Sequence, residues 1–162
     1  MKQRLTGVFL LAGLVLTLDQ ASKAWVRSTL PLGRGEEIIP GFFNLVHVAN
    51  RGAAFGFLNR SDISWQNTLF MAVSLFAVGL IAWLASKPGQ GRTMFTAYGL
   101  VAGGALGNLV DRLRQGYVTD FLDFHYGGLH WPAFNLADAG ITVGAVTLVL
   151  ATFLQGRKEV GS

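Results

Sequence analysis

The stretch Thr68-Leu-Phe-Met-Ala-Val-Ser-Leu-Phe-Ala-Val-Gly-Leu-Ile-Ala-Trp-Leu-Ala-Ser86 holds nineteen residues without a charge. At about 1.5 Å per helical residue it reaches roughly 28 Å, close to the hydrocarbon thickness of a bilayer. Trp65 precedes it and Trp83 stands near its end, as expected of indole rings at the two membrane–water interfaces. The segment reads as a plain structural span.

Three further apolar runs flank it. The first, Leu5 to Leu18, follows Lys2 and Arg4 and has the basic and apolar parts of a secretory signal peptide. The stretch Asp19 to Lys23 is too polar for a small-residue cleavage site, however. Extension through Trp25 to Val26 predicts a span over residues 5–26, with Asp19 facing other helices and Lys23 snorkelling to the interface. The next run predicts a span over 94–112 and carries Gly99, Gly103 and Gly107 on one face, a ridge on which another backbone can approach closely. Asn108 lies three and four residues before Asp111 and Arg112, on one side of that helix. The last run predicts a span over 133–154, with Asn135, Asp138 and Thr142 as a polar stripe that should face protein.

Composition agrees: 51% of residues are hydrophobic and 14% charged, and the apolar residues come in blocks. The 162 residues form a single integral membrane domain with no soluble domain left over. The absence of cysteine excludes disulfides and thiolate nucleophiles. His47, His125 and His130 have no metal-ligand spacing, so no metal or other cofactor is expected. The net charge of +4 is spread singly along the chain, which favours anionic lipid headgroups over nucleic acid as the partner.

Four spans leave both termini on one side. Lys2, Arg4, Lys87, Arg92, Arg157 and Lys158 lie on that side; Lys23, Arg27, Arg34, Arg51, Arg60, Arg112 and Arg114 lie on the other. Raw numbers do not choose, but the first set is packed into about twenty residues and the second spread over about sixty-five, which places both termini in the cytoplasm. The connection over 27–66 is then an extracytoplasmic insertion. Glu37 to Pro40 and Phe42 to Val48 are β-favouring, with a turn at Pro40-Gly41, and predict a small sheet. Leu58, Ile63 and Trp65 suggest a short interfacial helix. The expected fold is an all-α membrane protein of four transmembrane helices carrying that sheet and that helix.

Asp120 and Asp138 each lie beside a long apolar stretch. A carboxylate in or near hydrocarbon is costly and marks a functional site by default. Asp123 rivals Asp120: in an extended segment residues three apart point to opposite faces, so only one of the two can meet Asp138. Asp111 beside Arg112 reads first as a helix-end ion pair, and Asn108 and Asn135 serve equally well as interhelical hydrogen-bonding groups or as substrate contacts.

Asp19-Gln-Ala-Ser-Lys23, Asn50-Arg-Gly-Ala-Ala-Phe55, Gly107-Asn-Leu-Val-Asp-Arg112, Val118-Thr-Asp-Phe121 and Phe134-Asn-Leu-Ala-Asp138 resemble, in order, the signature blocks of the bacterial lipoprotein signal peptidases, or signal peptidase II. Each block is weak alone; five in order on four spans are specific. The resemblance implies an intramembrane aspartic endopeptidase of the bacterial inner membrane. It would remove the signal peptide of a diacylglyceryl-modified prolipoprotein, cutting before the lipidated cysteine, as a monomer among membrane lipids with its active site toward the outer face. It implies Asp120 and Asp138 as the catalytic pair, Asn50, Asn108, Arg112 and Asn135 as substrate-binding or dyad-orienting residues, and Asp19, Lys23 and Asp111 as structural support. Thr119, where the family usually has an aliphatic residue, and Ala139, where serine is common, depart from the pattern without removing a carboxylate.

The chemistry of the residues is consistent with this. Two adjacent carboxyl groups cannot both ionise easily and so share a proton. One can then activate a water while the other hydrogen-bonds the scissile carbonyl. An ion pathway would instead need polar residues across the bilayer, whereas the second span and the inner two-thirds of the fourth are almost wholly apolar. A non-catalytic scaffold would keep the glycine ridge without needing both acids.

Overall fold

The structure, a computed structural model, describes residues 2–52, 65–88 and 91–160. Its elements in chain order are α1 (Lys2–Thr29), β1 (Gly35–Ile39), β2 (Phe43–Asn50), α2 (Gln66–Ala85), α3 (Arg92–Gln115), β3 (Val118–Tyr126), β4 (Leu129–His130) and α4 (Leu136–Val160). All four helices are long and apolar enough to cross a membrane. Leu58 and Ile63 of the expected interfacial helix lie outside the described residues; Trp65 forms the exposed turn before α2.

α3 is the central helix, packed against α1, α2 and α4. More than half of its apolar stretch (56%) is buried within protein, against 17% for α1, 11% for α2 and 22% for α4, so the three outer helices leave most of their apolar surface facing away from the protein. The glycine ridge explains how α1 comes so near. A Cβ on Gly103 would lie 2.7 Å from the Ala12 carbonyl oxygen, and one on Gly107 2.5 Å from Asp19 Oδ2. Gly104, outside the ridge, lies against the Ala137 carbonyl of α4. Small residues on two faces of one helix thus draw two neighbouring backbones to it.

At its far end α3 stops on Gly116, whose φ of 76° suits glycine and whose N–H closes on the Arg112 carbonyl at 3.1 Å. The chain leaves this cap straight into β3. The sheet is antiparallel with strand order β1-β2-β3-β4. The expected strands of the first connection are present, but half the sheet comes from the third connection, so the all-α description is too narrow. Between the pairs Leu45↔Leu122 and Val48↔Asp120, β2 advances three residues and β3 two. This bulge puts extra twist beside Asp120.

Two further expectations are corrected. The fourth helix begins at Leu136, not near 133, because Phe134 is engaged in the sheet: its N–H donates to the Leu122 carbonyl at 3.1 Å, and its carbonyl accepts from Leu122 at 2.9 Å. Asp138 therefore sits in the first turn. Lys23 does not snorkel to the interface; it is fully buried, as is Asp19, for electrostatic reasons that belong to the site.

Candidate active site

Asn135 and Asp138 form a capping box at the start of α4. The Asn135 Oδ1 accepts the Asp138 N–H at 2.9 Å, and Asp138 Oδ2 accepts the Asn135 N–H at 3.4 Å. This reciprocal arrangement satisfies donors that every helix start leaves unpaired, and it fixes the Asp138 carboxylate. With its oxygen occupied by the cap, the Asn135 carboxamide has only its nitrogen left to offer elsewhere. That Nδ2 donates to Asp120 Oδ1 at 2.7 Å. One buried amide thus joins the helix carrying one acid to the strand carrying the other.

Asp120 is 2% exposed. Its second oxygen accepts from Asn50 Nδ2 at 2.9 Å, a diagonal contact across the β2–β3 pair, where Asn50 is opposite Val118. The Asn50 Oδ1 accepts the Gly52 N–H at 2.9 Å, which sets the polarity of that amide in turn. Burial raises the Asp120 carboxyl pKa and the charge of Asp138 raises it further. The two amide bonds and the Lys23 charge pull it back only in part, leaving it at about 7. This carboxyl can hold or release a proton near neutrality.

Asp138 Oδ1 accepts from Asn108 Nδ2 at 2.8 Å, and Asn108 Oδ1 accepts from Lys23 Nζ at 2.9 Å. An ammonium only donates, so Lys23 forces the amide oxygen toward itself and the amide nitrogen toward Asp138. Lys23 also pairs with Asp19 at 2.9 Å and Asp111 at 3.1 Å, and Arg27 meets Asp111 at 3.4 Å. Two cations thus balance two anions below the site, the condition on which buried charge is tolerated.

Asp19 does more than pair with Lys23. Its Oδ1 accepts the Ala137 N–H at 2.9 Å, so α1 helps to cap α4. Asp111 is engaged with α1 and with the Thr119 N–H at 3.0 Å, so the expected pair with its neighbour Arg112 is replaced by contacts to Lys23 and Arg27. Arg112 instead holds the chain after β2, donating to the Arg51 carbonyl at 3.2 Å and to the Gly52 carbonyl, with Phe70 under its guanidinium at 4.6 Å.

The rival acid faces elsewhere. Asp123 is paired across the sheet with Asn44 at 2.8 Å and approached by His130 Nδ1 at 2.9 Å. Burial pushes its carboxyl up, but those two hydrogen bonds and the charges of His130 and His125 outweigh it and hold the group below the usual value. Asp123 is a locally satisfied carboxylate on the far face of β3 from Asn135.

Beside Asp138 opens a largely apolar cleft of about 270 Å³, lined by the segment from Trp131 to Phe134 and by Ala139, Thr142 and Val143 of α4, with Asn50 reaching it from β2. The sequence reading missed Gln20 and Arg27. Gln20 Nε2 lies within 3.2 Å of oxygens on Asp19, Gly107 and Asp111, and Arg27 reaches Thr119 Oγ1 at 3.1 Å. The spacing of Gln20, Lys23 and Arg27, three and then four residues, was a signal that could have found them.

Comparison with known proteins adds independent findings. Residues 11–154 match the family described as Signal peptidase (SPase) II. The chain is 54% identical over 153 residues to the "Lipoprotein signal peptidase" of Oleidesulfovibrio alaskensis, covering 94% of this chain and 98% of the relative. It is 49% identical to the protein of the same name from Maridesulfovibrio salexigens, covering 90% and 96%. A solved structure described as a bacterial membrane enzyme superposes with a TM-score of 0.81 at 31% identity, covering 92% of this chain and 88% of that one.

Proposed function

The chain belongs to the signal peptidase II family and is a protease of that type, and from that premise we propose that it cleaves diacylglyceryl-modified prolipoproteins with Asp120 and Asp138 as an aspartic dyad. The observation that carries the assignment is the Asn135 carboxamide, which engages Asp120 through its nitrogen and the Asp138 backbone through its oxygen. Together the acids hold one proton in the working state. The ionised member takes a proton from water as the water oxygen adds to the scissile carbonyl carbon; the protonated member donates to the carbonyl oxygen, giving a tetrahedral diol. Collapse of the diol breaks the C–N bond and returns a proton to the leaving amine, which is the amine of the lipidated cysteine.

Asn108 and Asn135 hold the carboxylates in place, and Asn50 does so from the sheet side. Arg112 keeps Arg51 and Gly52, and with them Asn50, at the edge of the cleft. Asp19, Lys23 and Asp111 support this arrangement from below. The apolar cleft beside Asp138 suits a substrate that arrives in the membrane. We place the protein in the bacterial inner membrane, with both termini cytoplasmic and the dyad toward the outer face, from the density of Lys and Arg in its terminal stretches and second connection.

The test is cleavage of a diacylglyceryl-modified prolipoprotein peptide by the purified protein in lipid, with Asp120→Asn, Asp138→Asn and Asp123→Asn compared and a chelator added as a control. Cleavage that resists the chelator, survives Asp123→Asn and falls by at least about 10²-fold in the other two variants is expected. Retained cleavage in Asp120→Asn or Asp138→Asn would remove the dyad.

A further inference from the structure

Thr142 lines the same cleft as Asp138, one helical turn further along α4, about 6 Å along the axis. Hydroxyl groups inside apolar helices commonly fold back onto the carbonyl four residues earlier. α4 does this twice: Thr147 Oγ1 donates to the Val143 carbonyl at 2.7 Å and Thr152 Oγ1 to the Leu148 carbonyl at 2.8 Å. Thr17 on α1 and Thr96 on α3 behave alike. Thr142 does not, and it has no hydrogen-bond partner among the described residues. It is also exposed, so the polar stripe expected to face protein does so at Asn135 and Asp138 but opens onto the cleft at Thr142, and its neighbours there, Ala139 and Val143, supply no polar side chain.

An unpaired hydroxyl on an apolar helix face is costly wherever hydrocarbon rather than water covers it. The same position becomes favourable once a substrate brings an acceptor. A lipidated signal peptide has two kinds that could lie one turn beyond the scissile bond: backbone carbonyls of the peptide and ester carbonyls of the diacylglyceryl group. Both are neutral carbonyl oxygens, suited to a single hydroxyl donor.

We propose that Thr142 is a substrate-binding, specificity-determining residue whose hydroxyl donates to a substrate carbonyl in the apolar cleft below Asp138. This rests on the reading of Asp120 and Asp138 as the dyad. The hydroxyl adds recognition of the substrate's path into the membrane to the chemistry at the scissile bond.

The experiment measures kcat and KM for cleavage of the diacylglyceryl peptide by wild type, Thr142→Val, Thr142→Ser and Thr147→Val in lipid. Asp120→Asn and Asp138→Asn run alongside, and thermal unfolding of each variant checks folding. A second substrate carries ether-linked chains, which lack ester carbonyls. Thr142→Val is expected to lower kcat/KM about three- to tenfold, the worth of one neutral hydrogen bond, mainly through KM. Thr142→Ser and Thr147→Val should keep the wild-type value.

An equal loss on both substrates would identify a peptide carbonyl as the acceptor. A loss confined to the ester substrate, with wild type itself weakened on the ether, would identify a lipid ester. Wild-type kinetics in Thr142→Val on both substrates would overturn the proposal while leaving the dyad standing. So would an equal defect in Thr142→Ser or Thr147→Val, which would mark a packing effect. Cleavage at the wild-type rate by a dyad variant would overturn the dyad reading and this proposal with it.

Discussion

A carboxamide has one accepting end and one donating end, and Asn135 uses both. Its oxygen caps α4 and its nitrogen holds Asp120, so a substitution that separates the two roles is informative. Asn135→Asp keeps an excellent N-cap but turns an oxygen toward an oxygen of Asp120. We predict that it lowers cleavage by about 10²-fold or more, well beyond the fall in folded protein that a second buried carboxyl beside Asp120 causes, and paired rate and unfolding measurements would show whether the losses separate. Asp120 also makes a prediction about pH. Its folded pKa, about 7, lies above the ordinary value of 3.8, so the protonated form is favoured in the folded state. Its contribution to stability is fully present below the unfolded pKa and is lost as pH rises through about 7. Thermal midpoints in detergent should therefore fall between about pH 4 and about pH 8, and Asp120→Asn should flatten that slope. If the proposed dyad works with one shared proton, cleavage should decline above about pH 7 in parallel; a rate that climbs steadily to about pH 9 would contradict this.

The elements of the bundle are held by close backbone approach and by one buried charge group. Gly104 touches the Ala137 carbonyl, immediately before Asp138, so Gly104→Ala would push the first turn of α4 away. Overpacking of this kind costs about 1–3 kcal/mol, and the expected result is a lower thermal midpoint with cleavage impaired beyond the loss of folded protein. Lys23→Met leaves Asp19 and Asp111 without their shared ammonium, a loss of about 3–5 kcal/mol for a broken buried pair. It also frees the oxygen of Asn108, so a slower rate in the fraction that remains folded is expected. The glycine spacing was legible because a helix repeats every three to four residues and a run of small residues announces a close neighbour. The fate of Lys23 was not, since snorkelling and burial begin from the same sequence and only the partners on α3 decide between them. The start of α4 was misplaced because Ala133 and Phe134 are as apolar as the helix that follows, and only the bridge from Phe134 to Leu122 keeps them out of it.

Across the whole molecule, the four spans could be read from hydrophobic length alone, while half the sheet could not: Val118 to Tyr126 mixes acids with aromatics and is strand-like only once β2 lies beside it. The two acids stood out for the opposite reason, since charge beside hydrocarbon is conspicuous in any sequence, but the amides of Asn135 and Asn108 that orient them draw meaning from contacts 15 to 85 residues distant in the chain. The Lys and Arg density predicts that reporters fused to either terminus report the cytoplasm; an extracytoplasmic signal at either end would invert the assigned orientation. The reach of Asp19 to the Ala137 N–H also sets a schedule. The first helix made carries a carboxylate whose full set of partners is not complete until the last helix has been threaded beside it. A ribosome that stalls before Leu136 has already delivered Asp120 but leaves behind a membrane fragment without its second acid. On the proposed assignment, a chain cut short there lacks one of its two acids and the helix start that Asp19 caps, so the site is completed only by the last helix.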